Sequence, residues 1–222
     1  MAIGGTSASA ADTNATIDVG SLHEVLNLDN TANGGAGLTE AFNGNVYEGL
    51  FKLNDNGKVE NLLATSTKVS RNGLTYTFTL RNNVKFHSGK TFTSADVKYS
   101  IEKVTASGSQ SPQKSNLSII ESIQTPNATT VIVSLSKKSI SLVYNLTYVW
   151  IVNSVLKDMT SSEDGTGPYK YTTWTRGSTI SITRFDGYWG ANAKNKVVVF
   201  HQFTDGTALN NALLSHAVDI IT

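Results

Sequence analysis

The sequence predicts a mixed α/β fold rich in antiparallel hairpins, and three observations carry that expectation. In Thr75-Tyr76-Thr77-Phe78-Thr79-Leu80 the threonines fall on one side and the large apolar residues on the other, as a half-buried sheet requires. Glycine-bearing pairs, Asn72-Gly73 and Arg176-Gly177, stand between such alternating segments where hairpins turn. Toward the end of the chain, strand-like and helix-like segments alternate, the pattern of a βαβ unit.

Taken in order, residues 1–15 are small and polar without a period, the composition of a disordered tether. Thr16-Ile17-Asp18-Val19-Gly20 reads as a first strand, and the Asn and Gly content of residues 30–37 reads as a loop. A helix is expected next, with Thr39 as cap, Glu40 in the first turn, and Phe42, Val46, Tyr47 and Leu50 on one face. Asn54-Asp55-Asn56-Gly57 reads as a turn, and residues 66–70 and 75–81 as the arms of a hairpin around Asn72-Gly73. Thr93 then caps a helix with Asp96 at its third position, where a carboxylate suits the free N–H groups, and Val97, Ile101 and Val104 form the buried stripe. Residues 105–116 are a Ser/Gln/Gly loop, and 119–124 with 130–135 form a second hairpin turning at Pro126-Asn127. A short helix over 139–145, a buried strand over 149–152 and a flexible join over 161–167 follow. Residues 169–174 and 179–184 make the third hairpin; 197–200 is a strand, 207–215 a helix and 218–221 a strand. The chain stops inside that βαβ unit, which predicts a truncated domain.

At 222 residues the chain is long enough to bury a real core. Hydrophobic residues make up 39% and charged residues only 16%, so the chain is folded and its polarity is mostly uncharged, which leans toward an exported protein. Eighteen basic against seventeen acidic residues leave a formal charge of +1, with no field to concentrate a polyanion, and nucleic acid is excluded as a partner. The lack of cysteine removes disulfides, thiolate metal sites and cysteine nucleophiles together. No stretch reaches the roughly 20 apolar residues of a membrane span, and residues 1–10 lack the basic and apolar regions of a signal peptide, so they read as the start of a mature protein.

Longer blocks carry a resemblance. Residues 73–81, Val84-Lys85-Phe86-His87-Ser88-Gly89 and Ser94-Ala95-Asp96-Val97 look like the signature of the extracytoplasmic solute-binding proteins of ABC importers, in the class that takes peptides, nickel and some oligosaccharides. Asn45-Val46-Tyr47-Glu48-Gly49-Leu50 precedes that block as expected. Gly165-Thr166-Gly167-Pro168-Tyr169, Gly187-Tyr188-Trp189-Gly190, and Ala212-Leu213-Leu214 with Val218-Asp219-Ile220 follow it in order. His216 departs from the pattern, standing where the family usually has glycine, and Asn210 and Asn211 stand where an arginine is common. The resemblance implies a periplasmic-binding-protein-like type II first lobe with an inserted β-rich subdomain, the second lobe missing. It implies that residues 16–45 and 165–222 form the core subdomain, that 46–164 form the insertion, and that residues 165–168 are the return crossing.

The same resemblance implies a monomeric receptor, extracytoplasmic and lipid-anchored, that delivers an oligopeptide to permease subunits, with oligosaccharide and then nickel as alternatives; a cell-surface adhesion module is the reading from a different class. No cofactor is expected. No catalytic motif is present, and Glu163-Asp164 and Asp18-Glu24 read as surface carboxylates without an acid/base role. His23, His87, His201 and His216 are too dispersed for a closely spaced metal motif, and Arg81 and His87 are expected to be structural. The Asn-x-Ser/Thr triplets at Asn14, Asn116, Asn127 and Asn145 are ascribed to composition. Because the resemblance implies that the turn after the first strand lines the ligand cleft, Asn30, Thr31, Ala32, Asn33, Gly34 and Gly35 are the candidate ligand contacts. The asparagines and threonine supply donors and acceptors, and the glycines allow close backbone approach. Trp150, Trp174 and Trp189 are the rings able to stack on a sugar or peptide; Trp174, at the end of a hairpin strand, is the leading candidate, while Trp189 is expected to pack.

Overall fold

The computed structural model describes residues 14–32, 34–156 and 158–222. Most of the predicted tether and the predicted contact Asn33 therefore lie outside the described residues. Among those described, no helix is long and apolar enough to cross a membrane.

Strand β1 (Thr16–Ser21) runs parallel to both of its neighbours, β10 (Val197–Gln202) and β11 (Ile220–Ile221), in a five-stranded sheet ordered β11-β1-β10-β9-β8. Helix α4 (Gly206–Leu214) connects β10 to β11, the βαβ unit expected from the sequence. Strands β8 (Tyr169–Thr175) and β9 (Thr179–Arg184) are the third hairpin, antiparallel to each other, with β9 also antiparallel to β10 and Gly177 at φ +68° in the turn.

The middle of the chain is built on β2 (Phe51–Leu53), β3 (Val59–Asn61), and an antiparallel sheet of β4 (Ala64–Val69), β5 (Thr75–Leu80), β7 (Thr130–Leu135) and β6 (Ile120–Asn127), in that spatial order. The β4–β5 turn closes with Gly73 N–H donating to the Ser70 carbonyl at 2.8 Å, and Gly73 alone takes the positive φ. On β5, Tyr76, Phe78 and Leu80 are buried while the threonines face outward, as the alternation predicts.

Helix α2 (Ser94–Thr105) packs Val97, Ile101 and Val104 onto that sheet. The Asp96 carboxylate accepts the Thr93 N–H at 2.9 Å, a cap worth about 1 kcal/mol. Burying the three apolar side chains contributes roughly 1.5–3 kcal/mol each, so packing rather than capping holds the helix. A second buried cluster, which includes Leu28, Leu38, Phe42, Tyr47, Trp150 and Ile182, lies between the five-stranded sheet and α1 (Gly35–Phe42).

Several local expectations are corrected. Helix α1 starts at Gly35, with Thr39 and Glu40 inside it. A Cβ at Gly37 would sit 2.5 Å from the His23 carbonyl oxygen, so the glycines seat the first turn directly on the preceding loop, and tertiary contact outweighs their poor helix propensity. The helix ends before Gly44, whose φ of +75° stops it, so Val46, Tyr47 and Leu50 are buried without being helical. Strand β6 runs through Pro126 to Asn127, and the turn falls at 128–129. As β6 is an edge strand, a missing N–H there costs no ladder bond.

Beyond the short helix α3 (Leu142–Asn145), residues 149–152 are buried but form no strand, because their N–H groups find isolated partners: Ile151 donates to the Glu48 carbonyl at 2.8 Å and Val152 to Ser100 Oγ at 2.9 Å. Residues 161–167, read as a flexible join, are instead anchored. The Glu163 side chain is 4% exposed and faces His87 Nδ1 at 2.9 Å, and Asp164 Oδ1 accepts the Ser88 N–H at 2.9 Å. Both carboxylates are therefore buried structural acceptors, which corrects their reading as surface groups.

Candidate functional site

A cavity of about 380 Å³ opens beside the N-terminal turn of α1. Asn30, Gly34, Gly35 and Ala36 form one wall, continued by Thr39 and Asn43. Residues 110–113, from the loop after α2, form a second wall, and Tyr148 and Trp150 border the cavity. Among these described residues none carries a charge, so what the cavity offers is amide, hydroxyl and backbone hydrogen bonding beside aromatic rings. Trp150 is held rigidly: its ring stacks on Tyr47 at 5.2 Å, and its Nε1–H donates to Asn43 Oδ1 at 2.9 Å. Tyr148 is more exposed and pairs its hydroxyl with that of Tyr144 at 3.0 Å. A further hollow of about 270 Å³ shares Asn43 and Tyr148 with this cavity and runs on to Gly44, Glu48 and Lys52.

The loop that forms the first wall is shaped by its own polar groups. Asn27 Oδ1 accepts the Asp29 N–H at 2.7 Å and Asn27 Nδ2 donates to the Ala32 carbonyl at 2.8 Å. Asp29, only 6% exposed, accepts both the N–H and the hydroxyl of Thr31 at Oδ1, while Lys103 Nζ lies 2.5 Å from Oδ2.

The predicted contacts divide accordingly. Asn30, Gly34 and Gly35 line the cavity. Thr31 is buried and its side chain is committed to Asp29 and Lys103; Ala32 is exposed outside the cavity lining. Gly35 has a φ of +83°, and a Cβ there would come within 2.8 Å of the Glu24 carbonyl oxygen, so glycine is demanded by the loop's own packing. Trp174 borders a separate, narrow hollow with His23, Glu40 and His201, and the Arg176 guanidinium covers one face of its ring at 4.2 Å. The sequence reading missed the second wall: the Ser/Gln loop at 105–116, long and rich in hydrogen-bonding side chains, was the available signal.

Another polar centre is buried where the sequence blocks meet. Glu48, 2% exposed, accepts the Tyr188 hydroxyl at 2.7 Å on Oε1, and Thr166 Oγ1 and Trp189 Nε1, each at 2.9 Å, on Oε2. Burial pushes the Glu48 carboxyl above the usual carboxylate range, and the hydrogen bonds from Trp189, Tyr188 and Thr166 offset part of that. Arg81 lies over the Trp189 ring at 4.3 Å and donates to the Leu62 carbonyl at 3.2 Å; His87 binds Glu163 and the Gly167 carbonyl. Arg81 and His87 thus take the structural roles expected of them, and the Trp189 side chain packs against the β-rich core.

Residues 58–222 match the family described as bacterial extracellular solute-binding proteins, family 5 Middle. The glutathione-binding protein GsiB of Pectobacterium atrosepticum is 30% identical over 161 residues, which are 69% of this chain and 31% of that protein. The chain thus spans about a third of the length of the curated relatives it matches. Among solved structures, the binding protein AgaA in complex with agropinic acid, from A. tumefaciens R10, superposes with a TM-score of 0.87 at 32% identity, over 93% of this chain and 43% of that one. The oligopeptide-binding protein AppA of Bacillus subtilis, in complex with a nonapeptide, shares the fold with a TM-score of 0.84 at 22% identity, over 92% of this chain and 43% of that one. These likenesses place the architecture in the type II periplasmic-binding-protein fold.

Proposed function

The chain belongs to the family-5 bacterial extracellular solute-binding proteins, and from that premise we propose that it is the first lobe of an ABC importer's receptor, capturing an oligopeptide outside the membrane and handing it to the permease. In this reading residues 16–45 and 165–222 form the core of the lobe and 46–164 its insertion. The lobe supplies one face of the ligand cleft and catalyses nothing. The observation that carries the proposal is the uncharged wall of the cavity at α1, where Asn30, Thr39, Gln110 and Gln113 present amides and a hydroxyl next to Tyr148 and Trp150. Such groups match the repeating amides of a peptide main chain whatever its side chains, with the ligand's charged ends left to other parts of the receptor. Capture in such a protein shifts an open-to-closed equilibrium, so high affinity needs contacts from both lobes at once.

Isothermal titration of the full-length protein against glutathione, a series from dipeptide to nonapeptide, and neutral oligosaccharides tests this. Saturable one-to-one binding of peptides without turnover is the expected result. Binding confined to oligosaccharides replaces the peptide reading, and the absence of any small-ligand binding overturns the receptor reading.

A further inference from the structure

We propose that Lys103 is the positioning residue of the ligand cavity: its ammonium, carried on the last turn of α2, holds both walls in their binding geometry. The inference rests on reading that cavity as the ligand face. Lys103 Nζ lies 2.5 Å from Asp29 Oδ2 and donates to Thr31 Oγ1 at 2.6 Å, reaching residues 74 and 72 positions earlier in the chain. Asp29 turns its other oxygen inward to the N–H of Thr31 at 2.9 Å and its hydroxyl at 2.7 Å. The Thr31 carbonyl in turn accepts the Gln110 N–H at 2.9 Å. Asn30, beside this chain of bonds, lies on the first wall, and Gln110 begins the second. One cation therefore ties the loop before α1 to the rigid body of a helix, and the Thr31–Gln110 bond carries that hold to the loop after α2.

The setting favours a role in placement. Asp29 is 6% exposed and the Lys103 side chain 22%, so their attraction is little screened by solvent. The Asn27 bonds shape the first loop from within, whereas the Lys103 and Gln110 bonds fasten it to the next segment. Loops without such fastening populate open conformers, and a receptor competent for only a fraction of the time binds more weakly by that fraction. Lys98, on the same helix, pairs with Glu102 on the surface and serves as the control.

The experiment uses the full-length protein, with glutathione and an uncharged nonapeptide as probes, and four variants: Lys103→Met, Lys103→Arg, Lys98→Met, and the double variant Asp29→Asn/Lys103→Met, which avoids stranding a buried carboxylate. Hydrogen exchange and calorimetry are read together. In both variants that carry Lys103→Met, amide protection should fall at Thr31 and Gln110 while the α2 amides keep theirs. Affinity should fall about tenfold, as expected if the competent conformer drops to a tenth of the population. Lys103→Arg and Lys98→Met should stay near wild type. Unchanged exchange at Thr31 and Gln110 in the double variant overturns the proposal, as does loosened exchange with unchanged affinity. A wild-type protein that binds neither probe counts against the peptide reading instead, and the exchange profile still decides whether Lys103 orders the two walls.

Discussion

The Glu48 centre and the cavity at α1 are both built from polar side chains near one another in the molecule, yet they spend those side chains in opposite ways. At Glu48 both carboxylate oxygens are taken, by Tyr188 on one and by Thr166 and Trp189 on the other, and the residue is only 2% exposed. At the cavity, Asn30, Gln110 and Gln113 line open space. The residues of Glu48's shell come from the blocks that identify the family, Asn45 to Leu50, Gly165 to Tyr169 and Gly187 to Gly190, which shows that those blocks encode a frame. The residues that line the cavity lie outside those blocks.

The sharpest way to break the comparison is at Glu48. Glu48→Ala leaves the Thr166, Tyr188 and Trp189 donors without their acceptor; at 1–3 kcal/mol per unmet buried donor, partly relieved by solvent, the loss should be about 3–5 kcal/mol in urea denaturation. A loss below 1 kcal/mol would show that Glu48 is not the joint we describe. Glu48→Gln, which keeps one acceptor oxygen, should cost less and should flatten part of the pH dependence. Because burial raises the folded-state pKa of Glu48, the folded protein retains a proton that the unfolded chain has released. That contribution to stability is fully present below the ordinary carboxylate pKa and is lost as pH rises through the raised value. Asp96 runs the other way. Burial pulls its pKa upward, but the Lys90 ammonium and the donors of Ser154 and Thr93 outweigh that and hold it below the ordinary value. Its stabilising contribution is present above the unfolded pKa and fades as pH falls through the lowered one.

Tyr148→Ala probes the opposite side of the comparison. The ring is 41% exposed and meets Tyr144 edge-on, so its removal should change stability by no more than about 0.5 kcal/mol. If it faces the ligand, peptide affinity should fall about tenfold, near 1.4 kcal/mol. A stability loss with unchanged affinity would move Tyr148 into the frame.

The same division explains what the sequence made legible. Strands β4, β5, β7, β8 and β9, and helix α2, follow from alternation, turn residues and a capping carboxylate, all of them signals within a dozen residues. Family membership followed from ordered blocks. What stayed hidden depends on contacts far apart in the chain. Glu48 reads as an ordinary acid until Thr166, Tyr188 and Trp189, 118 to 141 positions away, surround it. Glu163 and Asp164 look like surface charges until His87 and Ser88 reach them across 76 residues. The cavity was half visible: the Gly-rich loop announced its first wall, while the second wall, from residues 110–113, is joined to it by the Thr31 to Gln110 bond, 79 positions apart in sequence.

His216 sharpens the distinction between frame and ligand surface from outside both centres. The resemblance expects glycine there, and the structure gives the physical reason. His216 has a φ of +58° just past the end of α4. The Ala217 N–H donates to the Ala212 carbonyl at 2.8 Å and the His216 N–H to the Leu213 carbonyl at 3.1 Å, the paired bonds of a Schellman ending. A left-handed conformation costs a side-chain-bearing residue about 1–2 kcal/mol, and glycine returns part of that gain through its freer unfolded chain. His216→Gly should therefore stabilise the protein by about 0.5–1 kcal/mol, a rise in Tm of roughly 1–4 °C for a domain of this size. Peptide affinity should not move, because His216 belongs to neither wall of the cavity. A change in affinity without a change in Tm would place the end of α4 in the ligand face and would redraw the boundary between the two regions.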